Sequence, residues 1–588
     1  MRGKISGSAR LARRALLLLA MLIGLVSFAP GSAYAAPEEE YDLYFGGVVR
    51  GTQVTSDNKD DVFGDGTVSY DPATDTLTFN NAHLTEDILR LSGDNTTLVI
   101  EVHGDCVIDT VGTDTLNGIS LQRIQGVSFG EIQSDLLITG PGSLTIKARM
   151  GINARGVTVR DSTLNIEIPS PDGYSYPAIQ TYNKGVNFIN STVTITSEVP
   201  ESNGIYAEEG GISIQNSIVT VSAPDSTYPA LWALENLTIS DGSEVHATAG
   251  DGNAIYCYDI SVDGSWLDAS SGYGITVYSE GDAIDIKNGA TLTATSKEDC
   301  ALYSEFATVT VSGTSEVTLS TQWGYAAESP RVIIEGGSTV DVTGETAGIF
   351  ANKSISIADS TVTARHTGSA GAGIAATGQL GITGASKVES TGLRATDPIV
   401  VEPATGALVE VKTGATADAL AHRQGSPYDQ RTELGTSISE LVLIQPHVHA
   451  GGAATCTDLA VCDDCGRAYG DVDPSNHSFT TYMYNGDATC EADGTETATC
   501  DRCGVENTRT AAGTARGHSY VDGICTVCGA EDPGYAATGG SADDDSPKDG
   551  GSEATIPATG DPSLAMAAVP AAAGLLAVCA GAVARRRM

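Results

Sequence analysis

A short strand pattern recurs along the middle of this chain, and the recurrence constrains its fold more than any other feature. One element is a small residue followed by alternating apolar positions. It reads Gly142-Ser143-Leu144-Thr145-Ile146, Ser162-Thr163-Leu164-Asn165-Ile166, Ser191-Thr192-Val193-Thr194-Ile195 and Ser217-Ile218-Val219-Thr220-Val221, and continues to Ser386-Lys387-Val388. From Leu144 to Val388 ten intervals average 24.4 residues. A second element is small–aliphatic–aromatic–small, as in Gly204-Ile205-Tyr206-Ala207 and Ala254-Ile255-Tyr256-Cys257. A third is Leu/Ile-Thr/Ser-Ile/Val, as in Leu237-Thr238-Ile239.

Three short strands in roughly 24 residues describe one coil of a parallel β-helix. Period-2 alternation turns Ile, Leu and Val inward and Thr, Ser and Asp outward, and no coil can bury its apolar side alone. The reading is all-β: a right-handed parallel β-helix of about eleven coils, near 4.8 Å each. The 68 glycines and the wealth of Ser, Thr, Asp and Val suit strands and tight turns. Residues 96–395 are expected to form the coils, with β caps at 36–95 and 396–446. The segment from Tyr41-Asp42-Leu43-Tyr44-Phe45 through Gly64-Asp65-Gly66-Thr67-Val68 to Thr76-Leu77-Thr78-Phe79-Asn80-Asn81 resembles the opening of pectate-lyase-like β-helical surface proteins of gut Gram-positive bacteria. These are described as carbohydrate-binding-domain-containing, and the resemblance extends loosely over the coils.

The two ends of the chain read as targeting signals. Arg2, Lys4, Arg10, Arg13 and Arg14 precede an apolar core, Ala15 to Phe28, and Ala33-Tyr34-Ala35 supplies a small-x-small cleavage site. Residues 1–35 are therefore expected to be a signal peptide. At the far end Ile556-Pro557-Ala558-Thr559-Gly560 is followed by an apolar run from about Leu564 to Ala584 and then Arg585-Arg586-Arg587. The run is long enough to span a bilayer, and the arginines would stay cytoplasmic. This order, residues 556–588, resembles the LPxTG cell-wall sorting signal, with Ile in place of Leu. The resemblance implies a sortase that cleaves between Thr559 and Gly560 and joins Thr559 to peptidoglycan. The product would be secreted and wall-anchored, its precursor transiently in the membrane through a C-terminal transmembrane sorting helix. Removing the eight basic side chains at the two ends together with Asp561 takes the formal charge from −42 to −49. Such a surface repels nucleic acid and anionic polysaccharides.

Cysteines concentrate in residues 447–533, ahead of a flexible acidic Gly/Ser linker at 534–555. They read Cys456-x5-Cys462-x2-Cys465 with His477, then Cys490-x9-Cys500-x2-Cys503 with His518, then Cys525-x2-Cys528. Three thiolates and one imidazole per copy match a closed tetrahedral zinc site, structural rather than catalytic. Few apolar residues lie in the segment, so metal would supply the folding energy. A second grouping has His449 and His477 leading their modules and leaves His518, Cys525 and Cys528 as an incomplete last site. Disulfides are the competing chemistry outside the cell. The modules resemble zinc-ribbon-like repeats of other wall-anchored proteins.

Within the coils, Cys257 and Cys300 fall on inward phases of the aromatic-bearing strand, too far apart to be bridged. In that strand the aliphatic residue points inward, so Tyr206, Trp232, Tyr256, Tyr303 and Phe350 point outward. The small residue ahead of each is expected to leave a ring face open. Aligned rings suit stacking on sugar faces. Acids follow: Glu208, Glu209, Glu235, Asp259, Glu280, Asp282, Glu305 and Glu328. These could form a solvated turn row, collect calcium, or supply a carboxylate pair for glycoside hydrolysis. The only local basic cluster is Lys147, Arg149 and Arg155. The Asn-x-Asp, Asp-Asp and Gly-His-Gly set of the polygalacturonase family is missing, as are Gly-x-Ser-x-Gly and His-Glu-x-x-His. No catalytic residue is assigned. The expectation is a wall-anchored rod for adhesion or binding of neutral glycans or a host surface. The alternatives are a polysaccharide-degrading enzyme and a non-binding stalk.

Overall fold

The computed structural model describes residues 39–46, 50–91, 96–125, 128–132, 134–169 and 176–535. The expected signal peptide, nearly all of the acidic linker, and the sorting signal with Thr559 and Gly560 lie outside the described residues. Among the described residues no helix is long and apolar enough to cross a membrane. The chain divides into two compact units. One comprises the residues through Ala454 together with Asp458–Val472; the other comprises Thr455–Thr457 and the residues from Asp473 onward.

The first unit is a parallel β-solenoid with three faces. One coil contributes a strand such as Leu237–Ser240 to the first face, Glu244–Ala249 to the second and Ile255–Cys257 to the third. Each strand pairs in parallel with its counterparts in the coils before and after, so that Val245 sits between Val219 and Leu267. Burial alternates with the strand period: Val245, Ala247 and Ala249 are buried while Glu244, His246 and Thr248 are not. The interior is a continuous stack of Ile, Leu, Val and Ala side chains. Bulkier Phe45, Phe79 and Phe188 fill it toward the N-terminal side.

The eleven repeats read from sequence are present on the second face, from Ser143–Lys147 to Lys387–Ser390, and two further strands precede them. These are His83–Leu84 and Asp105–Asp109, which pair in parallel with each other, and Asp105–Asp109 pairs in turn with Ser143–Lys147. Neither carries the Ser-Thr-Val signature, which is why the repeat pattern begins later than the solenoid. The first coil thus already lies within residues 36–95.

Reversal of strand direction ends the stack, removing the open edges that would otherwise template aggregation. Val68–Asp71 lies antiparallel on Thr76–Asn80, and Glu40–Phe45 antiparallel on Ile88–Arg90. At the other end Leu441–Pro446, Ser437–Ile438 and Thr432–Glu433 lie antiparallel on the last strands of the second, third and first faces.

The serine that opens most of the repeats has a defined task at the corner between the first and second faces. The amides of Ser191, Ser217 and Ser243 donate to the hydroxyls of Ser217, Ser243 and Ser265 in the next coil, at 3.0, 3.2 and 3.2 Å. Each of those hydroxyls donates to a carbonyl at its own corner, Gln215, Ser240 and Asp263, at 2.7, 2.6 and 2.8 Å. These serines are buried, so the ladder satisfies backbone groups that water cannot reach. The corner also needs a left-handed residue: Asn190 and Asn216, directly before Ser191 and Ser217, have φ of 50° and 44°. Asparagine tolerates that region better than other side chains do.

Ser217→Ala leaves the Ser191 amide buried and unpaired. The expected loss is about 1–3 kcal/mol of stability, read as a lower denaturant midpoint at unchanged slope. Thr220→Ala, on the outward side of the same strand, should stay within about 0.5 kcal/mol.

Candidate functional sites

The third face carries the aromatic-bearing strands. In Ile205–Ala207, Leu231–Ala233 and Ile255–Cys257 the outer two positions are buried and the central ring is half-buried. In-register pairing turns the central positions into one column: Gln180, Tyr206, Trp232, Tyr256, Tyr278, Tyr303, Glu328, Phe350. Four of the five expected rings belong to an unbroken run, with Tyr278 as a further member between Tyr256 and Tyr303. Tyr278 was missed because its strand is flanked by Thr276-Val277 rather than by Gly or Ala and Ile. Phe350 stands apart, separated from the run by Glu328.

The rings pack on one another. Tyr206–Trp232 and Trp232–Tyr256 meet edge to face at 4.9 and 5.5 Å, while Tyr278–Tyr303 stack at 5.5 Å. Trp232 also stacks with Tyr228, and its indole Nε1 is buried without a hydrogen-bond partner. The small residue before each strand does not open a ring face as expected. Gly204 is buried, and a Cβ there would lie 2.2 Å from Val221 Cγ1, so its smallness serves packing inside the coil. Accessible apolar surface comes instead from the corners flanking the column. Tyr228, Tyr273 and Trp323 on the leading side are 42, 58 and 61 % exposed, and Tyr258 and Phe306 on the trailing side 47 and 59 %.

The acidic residues separate into different settings. Asp259 accepts the amides of Asp282 and Ala283 at 2.8 and 2.9 Å, a turn-holding role. Glu280 accepts the Tyr256 hydroxyl, which burial and this carboxylate together push well above the phenol range. Glu208, Glu209, Glu235, Asp282 and Glu305 lie at or beside the trailing corner. Glu328 is not in that row: it occupies a column position between Tyr303 and Phe350. In the basic cluster Lys147 pairs with Glu167 at 2.8 Å and Arg155 with Asp135 at 2.6 Å. Cys257 is buried inside its strand, and burial raises its thiol pKa. Cys300 lies ahead of the strand Leu302–Ser304, not within it, and its thiol meets Glu328 Oε2 at 3.8 Å.

Three clusters bring four metal-binding side chains together, with donor atoms all within 4.8 Å of one another: His447, His449, Cys462 and Cys465; Cys456, His477, Cys500 and Cys503; Cys490, His518, Cys525 and Cys528. Among the described residues these are the convergent groups, and the acidic row forms none. The grouping departs from the first sequence reading; the second, in which His449 and His477 lead their modules, holds for these two histidines but not for the last site. Cys456 is not with Cys462 and Cys465, nor Cys490 with Cys500 and Cys503. Each histidine precedes its own Cys-x2-Cys pair, and the last cluster is complete because Cys490 joins it. His447 was missed. Twelve candidate ligands occur between 447 and 533, eight cysteines and four histidines, which is the number that three tetrahedral sites require.

The Cys-x2-Cys-Gly segments build the sites locally. Gly466, Gly504 and Gly529 have φ of 69°, 79° and 75°, and each amide donates to the carbonyl of the first cysteine of its pair. The chain thereby folds around that cysteine's sulfur. Amides of Cys503 and Arg502 bring the Cys500 thiol down to about 5, and those of Val527 and Cys528 do the same for Cys525, while burial and the neighbouring thiols push their partners Cys456 and Cys490 up to about 12. Cys500 and Cys525 are thereby held in the thiolate form a metal needs, and a bound cation would favour it in their partners. The Cys456–Cys500 and Cys490–Cys525 sulfurs are 3.6 and 3.7 Å apart. An S–S bond is about 2.05 Å long, whereas two sulfurs on a tetrahedral zinc lie about 3.8 Å apart. The clusters could hold metal ions such as zinc, and four protein ligands leave no open coordination position.

The first cluster grows out of the solenoid's closing strand. His447 follows Leu441–Pro446 directly, and its side chain is fully buried. Its Nε2 lies 3.3 Å from Cys462 Sγ, and its Nδ1 lies 3.3 Å from Glu410 Oε2. Glu410 is itself buried and bonded to Lys412 and Gln445. A carboxylate on one imidazole nitrogen fixes the other as the metal donor.

Comparison with protein-family models, with curated proteins and with solved structures found no match.

Native mass measurement should find three divalent ions per chain, released by chelator at acidic pH. Glu410→Gln should weaken one of the three by about 10–100-fold and leave two unchanged, read by cobalt titration.

Proposed function

We propose that this chain is an exported surface protein, joined to the cell wall through Thr559, whose β-solenoid binds glycans along the aromatic column. The observation that carries the reading is the unbroken register of Tyr206, Trp232, Tyr256, Tyr278 and Tyr303, flanked by exposed aromatic side chains. Isolated exposed aromatics are ordinary on protein surfaces, but a contiguous apolar stripe points to a ligand. Rings repeating at the coil spacing, near 4.8 Å, offer successive stacking positions to a polymer that lies along the solenoid axis. The charge of −42 disfavours polyanions and leaves neutral or basic glycans as partners. The sorting motif and the signal peptide support display at the cell surface, with a sortase as the processing partner. The Cys/His clusters, as structural zinc sites, would stabilise a segment with little apolar core.

A glycan array probed with the mature chain tests this. Binding to neutral or basic oligosaccharides is expected, and the Trp232→Ala, Tyr256→Ala double variant should weaken it by about tenfold or more, given 1–3 kcal/mol for each lost stacking contact. Release of reducing sugar that depends on Glu208, Glu209 or Glu235 would replace this reading with a hydrolase.

A further inference from the structure

The aromatic column has one interruption, and its chemistry is specific. Glu328 takes the position that an aromatic ring holds in each of the five preceding coils, with Tyr303 before it and Phe350 after it in register. Tyr325 closes the leading side, stacked on Phe350 at 4.7 Å with an interplanar angle of 20°. Trp323, at 61 % exposure, stands next along the same corner. Glu328 is half-buried in the column between Tyr303 and Phe350. Its contact from protein is the Cys300 thiol at 3.8 Å; the Arg394 guanidinium, further along the column, acts on Tyr325, but among the described residues no cationic side chain forms an ion pair with Glu328. Burial raises its pKa, with Asp299 adding to the effect.

An unpaired carboxylate in such surroundings is unfavourable unless something compensates it. Packing does not call for it, because the neighbouring coils accept Tyr or Phe at the same position. The complement of one negative charge set beside aromatic rings is an organic cation. Ring quadrupoles attract a positive charge over their faces, and the carboxylate neutralises it directly.

We propose that Glu328, with Tyr303, Tyr325 and Phe350, forms a binding site for an organic ammonium group, supplied by a free-amine sugar unit of a glycan lying on the column. The inference rests on the glycan reading for the source of the amine, but the cage itself does not. A neutral glycan would gain stacking along Tyr206 to Tyr303 and nothing at Glu328. A glycan with free amines would gain an ion pair as well, so this position selects for the amine.

The test uses the full chain, purified in detergent and immobilised, with three probes: oligomers of glucosamine with free amines, the same oligomers N-acetylated, and choline as an ammonium without a sugar. Free-amine oligomers should bind about tenfold tighter than the acetylated ones. Glu328→Gln should abolish that difference, while Glu305→Gln, at the exposed trailing corner, should preserve it. Thermal stability of Glu328→Gln should be unchanged or higher, because a compensating role within the fold would predict a loss. Equal binding of free and acetylated oligomers to the parent chain would overturn the amine site and leave the glycan reading standing. If no oligosaccharide binds but choline does, through Glu328, the cage is upheld and the glycan reading fails. If neither binds, the cage is overturned.

Discussion

Parallel hydrogen bonding between successive coils, in strict register, is the constraint on which everything else in the first unit depends. A single coil of three short strands has an apolar side and no partner for it, so burial is achieved only by stacking. Stacking in turn requires that every corner turn at the same place, because a one-residue slip would rotate Val and Ile outward. The buried serines hold that place. Ser191, Ser217, Ser243 and Ser265 link one coil's backbone to the next at the corner, where the strand ladders themselves cannot reach.

Register has a consequence on the outside of the solenoid as strong as that on the inside. Residues separated by a whole coil in sequence become neighbours at strand spacing. A tyrosine in one coil thus meets a tryptophan in the next, as Tyr206 meets Trp232. The same rule that builds the dry interior makes a ring stripe on the third face, and it makes any departure conspicuous. Glu328 is such a departure. A single sequence window shows only an acid near an aromatic residue, whereas the ladder shows an acid in the place of one.

The Cys/His segment follows a different physics. It lacks the apolar side chains for a core of its own, and its order comes from short turns that aim sulfur at a common point. The turns are local, each set by a Cys-x2-Cys-Gly run. The remaining ligands are not local: Cys456 precedes Cys462 by six residues yet belongs with Cys500 and Cys503. In the first cluster His447 comes directly after the last strand of the solenoid, and Glu410, on a neighbouring strand, orients it.

The sequence by itself determined the strand period, the inward and outward phases, and the coil architecture, because alternation and repeat length are local and cumulative signals. It also contained the three knuckles and the full count of ligands. Which histidine and which distant cysteine complete each knuckle was decided only in three dimensions, since spacing along the chain does not report distance across a turn. The same holds for Gly204, read as leaving room beside a ring but in fact required by Val221 within its own coil. It holds also for the coil of His83–Leu84, which lies in the segment expected as a cap and whose membership rests on its parallel pairing with Asp105–Asp109.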